Sequence, residues 1–471
     1  MFAFATVGIP IIGSFLTLAA DRVSAALRNT LAVLILLATF LSCLALIPLA
    51  GQAPTATLGS FVIPGLNLTF VVDGLGVFVA TTSSLIGLLI LLYSLGYMKE
   101  YAHQGEYYFF VVLFLGSMMG LVLSANLLLI YIFWEMTAIC SWRLIGFYRE
   151  PQHLRNADTA LLVTVFGSFC MLIGLEMIWH ETGTFALDAL RGQTISNWAV
   201  GLLMLGMLAK SAQIPLQIWL PAAGVAPSPV TALLHAAVLV VIGVFAFARI
   251  FVGVFGLTPT WQFTAATFAV ATILVAGAAA LVENNAKRIL AYSTLGQLGY
   301  VFLGLATMNN LAIAGALAFL LAHSLAKAGL FLCIGIVEHK THTRDIRELG
   351  GLIRTMPITA ITFILCALTI VGFPPTAGFF GKLMIVMGVA QDGDILFAGL
   401  AVLGALLTLV YIVRLFNAVF LGDERFPEMR EGTPIMLATV IGFAALSLLV
   451  GFAITPLLNW VNALVAQLFI G

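Results

Sequence analysis

Charge is what this chain has least of. Only 8% of its 471 residues are Asp, Glu, Lys or Arg, where a soluble domain carries about 25%. A water-soluble globule is thereby excluded, because too few ionic groups remain to cover its surface. The 20 basic and 20 acidic residues cancel, leaving neither a basic face for nucleic acid nor an acidic tail. Cysteine is sparse too. Cys43, Cys140, Cys170, Cys333 and Cys366 stand singly in apolar runs without a CxxC pair, so neither an iron–sulfur cluster nor a zinc ribbon is encoded. A GxxxxGK[ST] phosphate loop is missing as well, which argues against ATP use. The expectation is a chain with no cofactor and no bound metal.

Apolar length is what the chain has in abundance. Hydrophobic residues make up 62% of it, in runs near the roughly 20 residues that one helical bilayer crossing needs. The runs are continuous and do not alternate with period two, so a membrane barrel is disfavoured. The pattern predicts an all-α polytopic membrane protein with about fourteen transmembrane helices. They fall near 2–20, 30–50, 70–98, 107–124, 126–148, 158–180, 197–220, 229–253, 263–282, 286–306, 310–338, 356–390, 394–420 and 433–468. The first has too little positive charge before it for a cleavable signal peptide and reads as a span. TATLGSFVIPGLNLTF, in the 51–68 segment, carries turn signals and β-branched residues and predicts a short hairpin on one surface. With the N-terminus outside, about thirteen basic residues fall on the inner side, Arg149, Arg155, Lys287, Arg288, Arg344 and Arg347 among them. Arg191 and Arg249 fall on the outer side. That asymmetry predicts both termini outside.

Two spans carry breakers. Pro215 and Pro221 interrupt the seventh, and Gly372, Pro374 and Pro375 the twelfth. Proline removes a helix hydrogen bond, and broken backbone at membrane depth survives only where protein or a wet cavity shields it from lipid. A break recurring five spans later, each beside a lysine, predicts two inverted five-helix repeats. The resulting divisions are 1–106 (helices 1–3), 107–254 (helices 4–8), 255–421 (helices 9–13) and 422–471 (helix 14).

Six ionisable groups fall at similar depth inside these spans: Glu135, Lys210, His235, His323, Lys327 and Lys382. Glu135 is on the order of 14 Å into its helix at 1.5 Å per residue, and His323 and Lys327 share a face at i, i+4. An unpaired charge there costs several kcal/mol. Such groups suit a proton relay. Burial favours neutral lysine, a nearby carboxylate favours the charged form, and histidine titrates near neutrality. The plainer alternatives are lysines that snorkel to the headgroups and a His–Lys bridge between helices. Arg143, His180 and Arg414 fit the first, and Ser293, Thr294 and Gln297 fit inter-helix glue. Breaks beside Lys210 and Lys382 favour ion conduction.

FWEMTAICSWRLIGF, AKSAQIPLQIWLPAA, APSPVTALLHAAVLVVIGVFAFAR, KRILAYSTLGQLGYVFLGLA, AHSLAKAGLFL and GFPPTAGFFGK follow one another, after DGLGVFVATTSSLIGLLILLYSLGYM. In order and spacing they resemble the antiporter-like subunits shared by respiratory complex I, multi-subunit Na+/H+ antiporters and membrane-bound hydrogenases. The resemblance implies a fourteen-helix fold with inverted repeats. It gives Glu135 the part of a switch glutamate and Lys210 that of the pumping lysine. His235, His323 and Lys327 match the connecting residues, and Lys382 the terminal lysine. Val241 stands where many relatives have lysine, Ser168 where some have aspartate, and Arg143 where an apolar residue is usual. No long lateral helix follows the last predicted span, which likens the chain to the shorter paralogues.

The expected function is a proton-translocating, or sodium/proton-translocating, subunit of a multi-subunit complex in the plasma membrane. Its partners would be other membrane subunits, with a soluble redox or zinc-bearing protein beyond them. The parent complex could be an ion-translocating oxidoreductase of the NADH:quinone or hydrogenase type, the chain itself doing no chemistry. The alternative is the proton-conducting partner of an inorganic-carbon uptake complex, and a third reading is a scaffold that conducts nothing.

Overall fold

A computed structural model describes residues 2–60, 65 and 67–469. Sixteen helices account for most of it: α1 (Phe2–Asp21), α2 (Ala25–Leu46), α3 (Gly74–Tyr97), α4 (Gln104–Leu123), α5 (Leu127–Ile145), α6 (Pro151–Thr182), α7 (Asn197–Lys210), α8 (Ser228–Phe255), α9 (Pro259–Val282), α10 (Ala286–Ala306), α11 (Asn310–Thr341), α12 (Pro357–Val371), α13 (Ala377–Gln391), α14 (Ile395–Phe420), α15 (Pro434–Phe452) and α16 (Ile454–Phe469). Among the described residues twelve helices are long and apolar enough to cross a membrane, and α7, α12, α13 and α16 are shorter apolar helices. The polytopic helical fold is therefore the observed one. β1 (Thr55–Ser60) pairs antiparallel with β2 (Asn67–Val71), giving the expected hairpin; its predicted turn at 61–64 and 66 lies outside the described residues.

Short polar side chains start these helices. Asp73, Asn126, Ser196, Asn285 and Asn309 each accept a backbone N–H from the first turn of α3, α5, α7, α10 and α11, satisfying donors that a helix leaves free. Burial then sorts the bundle. α8, α10 and α11 are almost wholly buried, as central helices of the bundle. α2, α6 and α14 turn large side chains such as Leu34, Phe166, Phe169 and Leu406 outward, where lipid is the matching solvent. Glycine permits the closest approaches: Gly381 and Gly388 of α13 lie against Phe319 and Ala312 of α11.

Two local features differ from the expectations, and the interruption expected in the seventh run is present. The run at 433–468 is not one span. The chain bends at Ala453, and α16 buries Leu457, Val461, Leu464 and Val465 while Asn459 and Asn462 stay exposed. That one-sided helix packs on α11, α3 and the end of α8, with Gln467 accepting from Gly74 N at 3.1 Å and Trp460 edge-on to Phe78. The seventh run ends as a helix at Lys210 and resumes only for one turn at Trp219–Ala222. Within α8, residues 233–237 and 248–255 form π turns that no proline or glycine signalled in the sequence around His235.

Candidate functional site

Lys210 is the last residue of α7 and is fully buried. Its ammonium does not pair with Glu135: Nζ donates to the Trp134 carbonyl of α5 at 3.1 Å and lies 5.2 Å from the centre of that indole ring. Glu135 follows Trp134 in sequence, is half-buried, and keeps Oε1 buried without a hydrogen-bond partner. The two groups remain within electrostatic range. Beyond Lys210 the chain is braced rather than helical. Trp219 Nε1 donates to Ala209 O at 2.9 Å, and Gln213 reaches Ser211 O at 3.1 Å and Leu295 O of α10 at 3.4 Å.

At the second break Gly372 closes α12 with a φ of +87°, which an L side chain rarely adopts. A Cβ there would also lie 3.3 Å from Lys382 Cδ, so glycine leaves the room through which that lysine folds back. Lys382 Nζ donates to Ile370 O at 2.7 Å and Val371 O at 3.5 Å. It thus places a cation on the carbonyl end of the half-helix, where the backbone dipole favours one. The rings of Tyr300 and Phe319 face the same ammonium at 4.8 and 5.2 Å.

α11 links that break to α8. Phe319, His323, Lys327 and Phe331 recur every four residues and so form one stripe. Phe319 touches Lys382 at one end, and Phe331 packs on the His235 ring at 4.5 Å at the other. His323 faces the His235 backbone, while Lys327 Nζ donates to Leu290 O of α10 at 3.0 Å. All four ring nitrogens of His235 and His323 are buried without a hydrogen-bond partner among the described residues. His235 sits inside the first π turn of α8, a local widening often found at functional sites. Ser83 and Ser211 donate to the Ala237 and Val240 carbonyls there at 2.6 and 2.8 Å.

The structure thus gathers the six predicted residues into two groups, Glu135–Lys210 and His235–His323–Lys327–Lys382. No direct contact joins them among the described residues. Gln213, with Oε1 buried and unpartnered, lies at the intervening break and was missed from the sequence; its position two residues before Pro215 was the available signal. Thr408 and Tyr411 of α14, also missed, bond Gln297 at 3.3 and 3.2 Å, and Tyr411 reaches Ser293 at 2.8 Å. Arg143 pairs with Glu106, which also holds Arg149, so it does not serve Glu135. His180 is exposed beside Glu176, and Arg414 bonds Glu283 O and Asn284. Ser168 bonds its own helix at Val165 O and also interacts with the Tyr131 side chain of α5, and Val241 is buried.

Two basic residues placed on opposite surfaces by their positions are interior. Arg249, assigned outside, is 5% exposed and pairs with Asp73. Lys287, assigned inside, is fully buried and pairs with Glu338 at 2.6 Å.

Ionisable side chains held at broken helices inside a helical bundle define a polytopic membrane protein with a charged interior. The chain belongs to the family described as NADH:quinone oxidoreductase/Mrp antiporter, TM, which residues 124–408 match. Residues 60–110 match the N-terminal region described as NADH-Ubiquinone oxidoreductase (complex I), chain 5. The chain is 33% identical over 407 residues to Na(+)/H(+) antiporter subunit A1 of Staphylococcus aureus strain JH9, covering 79% of this chain and 51% of that one; the strain Newman protein matches equally. The chain therefore spans about half the length of these relatives. Its fold is that of a chain in the Mrp complex from Dietzia sp. DQ12-45-1b, with a TM-score of 0.91, 22% identity and coverage of 100% and 98% of the two chains. A chain of the archaeal membrane-bound sulfane sulfur reductase superposes with a TM-score of 0.89, 21% identity and coverage of 99% and 97%.

Proposed function

We propose that this chain is an ion-translocating subunit of a multi-subunit membrane complex and that Glu135, Lys210, His235, His323, Lys327 and Lys382 carry protons through it. The observation behind the reading is the partnering of its midplane lysines. Lys210, Lys327 and Lys382 rest on neutral main-chain carbonyls, and among the described residues none forms an ion pair. A lysine so held can release its proton without stranding a buried anion. His235 and His323, whose ring nitrogens have no hydrogen-bond partner among the described residues, can each take a proton at one ring nitrogen and give one up at the other. Water can bridge gaps of this kind where polar groups line them.

The relatives named above act as sodium/proton antiporter subunits or belong to a respiratory complex. Sodium coupling and membrane-subunit partners follow for this chain by analogy with them. Fourteen crossings in two inverted repeats, with both termini outside the plasma membrane, is the topology that goes with this function. The deciding experiment is Lys210→Ala in the complex purified with its partners and reconstituted in vesicles. Ion transport is expected to fall to background with assembly intact. Transport at the wild-type rate would leave a scaffold. The proteins that copurify in mild detergent distinguish an antiporter or respiratory complex from a carbon-uptake system with a zinc-bearing partner.

A further inference from the structure

Among the interior ion pairs that the relay does not use, Lys287–Glu338 alone borders a cavity among those described. Glu338, near the end of α11, accepts from Lys287 Nζ at 2.6 Å and from Ser228 Oγ at 2.9 Å, and it also pairs with Arg344. Lys287 donates further to Ala226 O at 3.0 Å. Glu338 is not sealed. It borders a cavity of about 580 Å³ that Tyr97, Tyr101, Tyr148, His153 and His339 also line. The cavity opens between the 98–103, 148–153 and 342–344 segments, on the side whose loops hold most of the arginines. Lys287 lies behind the carboxylate and does not line it.

The seam behind the pair leads to the relay. Glu338 is three turns, roughly 16 Å, along α11 from Lys327. Lys327 bonds Leu290 O of α10, about one turn beyond Lys287. Ser228, which holds the carboxylate, begins α8 about two turns before His235. A second cavity of about 540 Å³ reaches Pro221 from the same side; Arg344 borders both cavities, but here Arg288 joins it and no carboxylate lines the space, an unfavourable field for a cation.

We propose that Glu338 and Lys287 form the proton-uptake gate through which the basic-loop side feeds the relay; the inference rests on the function proposed above. A proton from cavity water forms an O–H bond on Glu338 and cancels the ion pair. Lys287 then gives one N–H proton, through bridging water, to a neutral carrier of the seam, Lys327 or His235. The Glu338 proton passes to the Lys287 amine, and the pair re-forms. One proton has moved inward, and only O–H and N–H bonds have been exchanged. Arg344 and Ser228 hold the carboxylate in place throughout. The other titratable groups facing it are Tyr93 and Tyr97 of α3 and Tyr101 just after it, Tyr148, Glu150 and His153 from the α5–α6 corner, and His339 and His342 beside it, with Glu100 acting on His339.

The test uses the complete complex in vesicles with the basic-loop side facing the medium, comparing wild type with Glu338→Gln, Glu338→Asp, Lys287→Met with Glu338→Gln, and Lys210→Ala. Glu338→Gln is expected to lower transport at least tenfold, and the neutral double variant to remain as low with normal assembly. Glu338→Asp keeps the charge while withdrawing it, so transport should fall several-fold and its dependence on medium pH should shift. Wild-type transport in the double variant would make the pair structural and overturn the gate. An unshifted pH profile in an assembled Glu338→Asp complex would overturn it too, even if Glu338→Gln fails to assemble. Transport surviving Lys210→Ala would instead sink the relay reading itself.

Discussion

The ends and the middle of this bundle hold buried cations in opposite ways. At the α3–α8 end, Arg249 is locked to the Asp73 carboxylate and also touches Val122 O at 3.4 Å. Near α2, Arg28 is locked to Asp21 at 2.6 Å. In the middle, Lys210, Lys327 and Lys382 have only main-chain carbonyls and aromatic faces. A carboxylate partner fixes a charge, because removing either member strands the other in a medium that solvates it poorly. A carbonyl partner tolerates both protonation states. Apart from the Lys287–Glu338 gate, where the carboxylate takes a proton before the lysine gives one up, the residues that stay charged and those that change are told apart by their acceptors more than by their depth.

Breaking an end pair should show the largest effect on stability. Asp73→Asn leaves Arg249 buried and uncompensated, and the purified protein is expected to lose about 3–5 kcal/mol. Asp73→Asn combined with Arg249→Met should recover most of that loss in thermal unfolding. Lys210→Met, by contrast, removes a buried cation that is in contact with no carboxylate among the described residues, and it is expected not to lower the melting temperature, although transport disappears. Lys382→Met divides the two cases. It loses transport and also the cation at the end of α12, at a cost of about 1 kcal/mol, measurable as a small drop in melting temperature that Lys382→Arg does not show.

Glu135 tests the comparison at finer scale. It lies near Lys210 without touching it, so Glu135→Gln should slow transport about tenfold, the equivalent of about 1.4 kcal/mol, rather than abolish it. The smallest effect belongs to the loop after α11. Hydrogen bonds from the Arg347 side chain and backbone hold the Asp345 carboxyl down at about 2. Its lowered value means that the contact is complete above the ordinary carboxylate range and lost only as pH falls toward 2. Proteolysis of that loop is expected to be the same at pH 4 as at pH 7, and Asp345→Asn to leave the melting temperature unmoved.

Much of this was legible because two signals are local. Apolar runs of bilayer length locate helices, and Pro215, Pro374, Pro375 and Gly372 announce broken backbone wherever they fall. The burial of Lys287 was hidden, since a lysine in the first turn of a helix ordinarily reaches water; only the fold brings Glu338, about fifty residues later in sequence, against it. The widened turns of α8 were hidden too, because LLHAAVLVV contains no breaker and the deformation is held by Ser83 and Ser211 from other helices. α16 could have been separated from α15. Thr455 and Pro456 are helix-start residues, and Asn459 and Asn462 fall opposite Leu457, Val461 and Leu464, a spacing that marks a helix wet on one side.

The turn around His235 wraps an extra residue compared with the α-helical segments on either side of it. Redrawing it as regular α-helix requires that residue to be passed along the chain, and each residue shifted turns the following side chains by about 100° around the axis. The imidazole therefore stands where the helix has slack in its winding. The hydroxyls of Ser83 and Ser211 grip the strand of carbonyls just past it, so any rewinding must first let go of them.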